Sequence, residues 1–153
     1  MKTTKLLTLA LCATLTLATS ASVSAHGDHT EGLIKERKKG FKVMGKSMRA
    51  MGKMMKSGDV DMTVVADKVK AIKVQSLKLT NWFAQESSNK THSTDALPAI
   101  WSDKADFAEK TKALQDAAKD IESRLKGDDF QLKAAMLQLK KTCGSCHDKY
   151  KAD

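Results

Sequence analysis

Proline occurs once in 153 residues, and aromatic side chains make up only 5% of the chain. Few β-forming aromatics and few turn-makers argue against a sandwich or barrel of many short strands. Cysteine is also scarce, three in all. Cys12 lies in an apolar leader, and the remaining pair, Cys143 and Cys146, is too small for a disulfide framework. Beyond residue 25 no apolar run approaches the roughly 20 residues of a membrane span, so no stable membrane insertion is expected. Acidic residues are in deficit, 18 against 27 Lys and Arg, giving a formal net charge of +9.

The leader itself has a recognisable order. Lys2 and Lys5 precede a mostly apolar stretch from Leu6 to Ala18, and Val23-Ser24-Ala25 supplies small or compact residues where a signal peptidase reads. Residues 1–25 are therefore expected to be a cleaved signal peptide, which places the mature protein in the periplasm. Residues 26–32, with His26 and His29, read as a flexible lead-in, and residues 33–153 as one domain. Taken segment by segment, the lysines are spread along the whole chain rather than gathered into a binding stripe. A nucleic-acid partner is therefore not expected; the charge reads first as a solvated lysine-rich surface, with steering of an acidic periplasmic redox partner or attraction to anionic lipid as the alternatives.

What the chain does have is Cys143-Gly144-Ser145-Cys146-His147, close to its end. Two thiols at i and i+3 followed by histidine form the signature of covalent c-type haem attachment. The thiols add to the porphyrin vinyl groups, and the imidazole of His147 reaches the iron as an axial ligand. A structural zinc site would need a second pair of ligands at matching spacing. A thioredoxin-like pair would want a helix start after a strand, and no strand pattern exists. The expected cofactor is one covalently attached haem c per chain. No base, nucleophile or further metal constellation accompanies it, so an electron-transfer or gas-binding protein is expected rather than an enzyme.

Four stretches carry a helical period: about 30–56, 61–86, 102 to just before Gly127, and 128 or 129 to the end. Gly58 suits a left-handed C-terminal cap, and Ser102 an N-cap. Apolar residues recur at steps of three and four. With Arg37, Ser76 and Thr111 as polar members, the seams run as Ile34, Arg37, Phe41, Met44, Met48, Met51, Met55 and as Met62, Val65, Val69, Ile72, Ser76, Leu79, Phe83. The later stretches give Phe107, Thr111, Leu114, Ala118, Ile121, Leu125 and Leu132, Met136, Leu139, Cys143, Cys146, Tyr150. This spacing predicts an all-α, antiparallel up-down-up-down four-helix bundle, with the haem held inside it. Arg37 occupies a seam position. A buried guanidinium needs an anion, and a haem propionate would serve.

With these residues in view, the chain resembles the cytochrome c′ family from about Leu33 to Lys151. The resemblance rests on Cys143-x-x-Cys146-His147-x-x-Tyr150, on Arg37-x-x-x-Phe41, and on Ala96 to Trp101 with Phe107. It implies a homodimer built on the first two helices. It also implies that Phe41 lies over the iron face opposite His147, leaving a five-coordinate, high-spin haem open to nitric oxide and carbon monoxide. Tyr150 would pack on the haem edge. Lys151 stands in the proximal pocket where relatives usually carry arginine, which keeps the charge and loses the planar fork. The competing reading is a low-spin electron-transfer cytochrome in which Met44, one turn from Phe41, is the sixth ligand.

Overall fold

The computed structural model describes residues 25–153, with side chains from His29 onward. The expected signal peptide therefore lies outside the described residues, apart from Ala25. The helices are α1 (Ala25–Ser57), α2 (Met62–Ser76), α3 (Leu79–Trp82), α4 (Ala99–Ser102), α5 (Lys104–Arg124) and α6 (Leu132–Tyr150). The four long ones form a bundle: α1 packs on α2, α2 on α5, α5 on α6, and α6 back on α1.

Local chemistry sets the boundaries. Gly58 ends α1 with φ +76°, and its N–H donates to Met54 O at 3.0 Å, the cap expected of it. Asp61 opens α2 by accepting from the N–H groups of Thr63 (2.8 Å) and Val64 (3.2 Å). α1 starts earlier than the period suggested. Residues 26–32, expected as a flexible lead-in, lie within this helix, and buried Thr30 donates to Gln85 Oε1 at 3.2 Å.

Three other boundaries also differ. The second helix does not run unbroken to residue 86. It ends at Ser76, and the chain turns before the short α3. The turn carries Trp82 onto Gly40, where a Cβ would lie 1.9 Å from the indole. The N-cap of α5 is Asp103, not Ser102, and its carboxylate accepts from the Asp106 N–H. Ser102 instead closes α4. The last long helix starts at Leu132 rather than at 128 or 129, because the Phe130 N–H turns back to Gly127 O.

Two cores result. The larger takes Met51, Val65, Val69, Ile72, Ala118 and Ile121, together with Leu132 and Leu139. The smaller gathers Ala96, Ile100, Phe107 and Tyr150, with Phe83 and Trp101 against them. Met55 and Met62, at seam positions near the α1–α2 turn, are exposed because the seam runs past its neighbours there.

Segment 83–98 is more than a polar connection. Ser87 and Ser88 are buried in it, and Asn89 N–H donates to Ala96 O at 2.7 Å. It is also tied to the end of the chain. Leu97 N–H donates to Tyr150 O, Ala152 N–H donates to Asp95 O, and Ala96 forms an antiparallel bridge with Lys151.

Candidate functional site

A cavity of about 470 Å³ opens between α1, the α3 region, segment 83–98, α5 and α6. Its walls are largely apolar, and its size is within the roughly 300–1,000 Å³ of ligand and cofactor pockets. α6 presents Cys143, Cys146, His147 and Tyr150 to it. These stand at i, i+3, i+4 and i+7, so one helical face carries all four. Arg37, Phe41 and Met44 line it from α1, and Lys151 from the tail. Every site residue expected from the sequence thus borders one space.

Both thiols are free and half-buried. Burial raises the pKa of Cys143 and pushes that of Cys146 up to about 11, with nearby Lys110 opposing. Thiols so protonated are poor candidates for a redox-exchange pair, whose thiolate must form readily. Burial, and then the positive charge of Lys151, lower the pKa of His147. Its imidazole is therefore neutral near pH 7 and keeps a lone pair for a metal.

Arg37 is 2% exposed. Its guanidinium donates to Ser87 Oγ (2.7 Å), Ser87 O (2.8 Å) and Thr94 Oγ1 (2.9 Å), and lies 4.7 Å from the centre of the Phe83 ring. All of these partners are neutral, and it makes no ion pair among the described residues. The positive charge is orientated but not compensated, and burial pulls its pKa down.

The aromatic residues meet along the wall. Phe41 is 5.9 Å from Trp82 and 6.2 Å from Phe83, while Phe107 stands edge-on to both Phe83 (5.1 Å) and Tyr150 (5.2 Å). Trp101 Nε1 donates to Phe83 O at 2.9 Å. Tyr150 Oη donates to Asp106 Oδ2 at 2.5 Å, and burial above all pushes its pKa up to about 12. Lys149 bridges Asp103 and Asp106 beside it.

Several lining or supporting residues were not singled out for the site by the sequence: Ser87, Thr94 and Lys110 lie off the seams, and Thr111 and Met48 lie on them. Ser87 and Thr94 hold Arg37 from positions 50 and 57 residues away. Lys110 lines the cavity, as does Thr111, whose buried Oγ1 has no hydrogen-bond partner among the described residues. Met48 also borders it, one turn beyond Met44. The donor set suits a haem c: two thiols for attachment, a neutral imidazole, apolar walls, and a buried cation without an anion.

The cytochrome c′ family pattern matches residues 32–151. The chain belongs to that family. It is 35% identical over 121 residues to cytochrome c′ of Rhodopseudomonas palustris, an alignment covering 78% of this chain and 82% of that one. The structure of cytochrome c prime from Shewanella frigidimarina superposes with a TM-score of 0.73 at 30% identity, covering 81% of this chain and 97% of the other. A variant of cytochrome c prime from Alcaligenes xylosoxidans, solved as its nitric oxide complex, gives 0.69 at 27% identity, covering 81% and 96%. Members of the family carry one covalently bound haem c per chain, and they bind small gases or transfer electrons.

Proposed function

We propose that this family member is an exported, periplasmic haem protein with a five-coordinate iron that takes nitric oxide or carbon monoxide. The convergence of Cys143, Cys146 and His147 from α6 with Arg37 and Phe41 from α1 on one apolar cavity carries this reading. When bound, the haem supplies an iron that changes valence by one electron and accepts a diatomic gas. Cys143 and Cys146 would hold it through thioether bonds, and His147 would supply a nitrogen to the iron. Arg37, already orientated by Ser87 and Thr94, would meet a propionate and gain the anion it lacks. Phe41 would offer the iron a ring that cannot coordinate and that keeps water away. Tyr150, steadied by Asp106, would pack against the haem, and Lys151 would set the charge near His147.

The second reading makes Met44 the sixth ligand, and the presence of Met44 in the cavity wall supports it. The spectrum of the ferrous protein with and without carbon monoxide separates the two. An open site gives a high-spin spectrum that shifts with the gas; a low-spin spectrum indifferent to it points to a methionine ligand, for which Met44 is the candidate. Phe41→Ala should quicken carbon monoxide association about tenfold or more in stopped flow, and an unchanged rate would remove Phe41 from its place over the iron. A homodimer is part of the proposal. Val74 and Leu77 on the α2 side give it exposed apolar surface, and sedimentation of the mature protein measures it.

A further inference from the structure

The lysines that look dispersed in the sequence are not dispersed on α1. Lys38, Lys42, Lys46, Arg49, Lys53 and Lys56 follow one another at steps of three and four, and all six are exposed. At 3.6 residues per turn they fall within an arc of roughly 80° and run about 27 Å along the helix. No Asp or Glu occurs from residue 37 to residue 57. None of the six forms an ion pair among the described residues. The one hydrogen bond found is from Lys38 Nζ to Ser93 O at 2.6 Å.

α5 shows what an ordinary solvated face looks like in the same molecule. There Lys110 pairs with Asp106, Lys112 with Asp116 and Arg124 with Asp120, each four residues apart. Like charges one turn apart weaken a helix, whereas such pairs support it. α1 therefore keeps an arrangement that works against its own stability. The row also ends at the cofactor site. Lys38 lines the cavity, and so does Gly45, which adjoins the arc on its cavity side.

We propose that this row is the docking surface for an acidic electron-transfer protein. The proposal rests on the reading of the cavity as the haem site and concerns its redox use. Charge complementarity selects the partner, and the position of Lys38 brings that partner to the cavity wall. A second copy of this chain would bring like charges together, so the row is unsuited to self-association. A lipid surface would be gripped better with exposed aromatic or long apolar side chains among the cations. Within the row's span only Phe41 and Met55 are large apolar residues with such exposure, and at 3.6 residues per turn both fall outside the cationic arc, on the side of Arg37.

The test uses the mature holoprotein and reduced flavodoxin, an acidic one-electron donor, as probe. The wild-type reduction rate should fall about tenfold or more from roughly 10 to 200 mM salt. Combining Lys42→Glu, Lys46→Glu, Arg49→Glu and Lys53→Glu should slow it at least about tenfold at low salt and flatten that dependence. Carbodiimide cross-links to flavodoxin should map to the row in the wild type and vanish in the variant. The same number of reversals at Lys104, Lys119, Lys133 and Lys140 should change the rate by no more than about threefold. Equal effects of the two sets would mean that net charge alone acts, and would overturn the proposal. So would cross-links that map elsewhere, or binding to phosphatidylserine vesicles that the α1 variant loses while its flavodoxin rate holds. Circular dichroism and the haem spectrum report folding; should the glutamates disturb it, glutamines at the same four positions should give about half the logarithmic effect. An iron indifferent to carbon monoxide would sink the open site proposed above and leave the rate and cross-link pattern intact.

Discussion

Around Ile121 the bundle is filled by aliphatic side chains from all four long helices, with Val65, Val69, Ala118 and Ile121 fully buried. Around Phe83 it is walled instead by rings, by a buried arginine and by segment 83–98, and it encloses about 470 Å³. The first half is closed by its own packing. The second takes its shape from contacts between distant parts of the chain, and its donor set is completed by a cofactor. Stability and function therefore rest on different residues of one bundle, and substitutions should separate them.

The sharpest separation comes from the thiols. Replacing Cys143 and Cys146 by serine should abolish covalent attachment, read as loss of the haem mass in denaturing mass spectrometry. The helical signal of the aliphatic half should survive. Next comes Ile121→Ala, which removes a side chain of 0% exposure and should cost about 2–5 kcal/mol in a denaturant titration. The carbon monoxide spectrum should stay as in the wild type; a changed spectrum would show that the halves are coupled. Gly40→Ala tests the junction. Its new methyl group collides with the Trp82 ring and should cost about 1–3 kcal/mol.

The smallest effect concerns acid. The Tyr150 hydroxyl first, and then Lys149, hold the Asp106 carboxyl below the usual carboxylate range; Lys149 chiefly does the same for Asp103. A carboxylate lowered by folding contributes stability above its unfolded pKa, near 4, and loses it as pH falls through the lower folded value. Asp106→Asn should thus be less stable than wild type at pH 7, and the gap should narrow below pH 4. Urea midpoints across that range measure it. A gap that stays constant would mean the side chain acts by packing rather than by charge.

The aliphatic half was legible because its signal is periodic. Val65, Val69, Ile72, Leu114, Ala118, Ile121 and Leu139 all stand at seam spacing and are all buried. The α6 face was legible for the same reason, since the haem motif and Tyr150 share one helical period. The break after Ser76 was not. Leu79 and Phe83 keep the spacing across it, so the period passes smoothly through a turn that sets Trp82 against Gly40, a contact between distant positions. The roles of Ser87 and Thr94 were hidden differently: a hydrogen bond spanning fifty residues leaves no mark on local pattern. The cationic row was periodic too, but it emerges only when charges are placed by helical face instead of by segment.

The two tryptophans of the chain both stand beside the ringed half. Trp82 lies 5.9 Å from Phe41, and Trp101 lies 6.0 Å from Phe83. Indole emission overlaps porphyrin absorption, so a haem in the cavity would darken both fluorophores at once. Light recovered during unfolding would then mark the moment this half opens, while circular dichroism follows the whole bundle. The molecule thus carries its own optical gauge for whether its two halves come apart together.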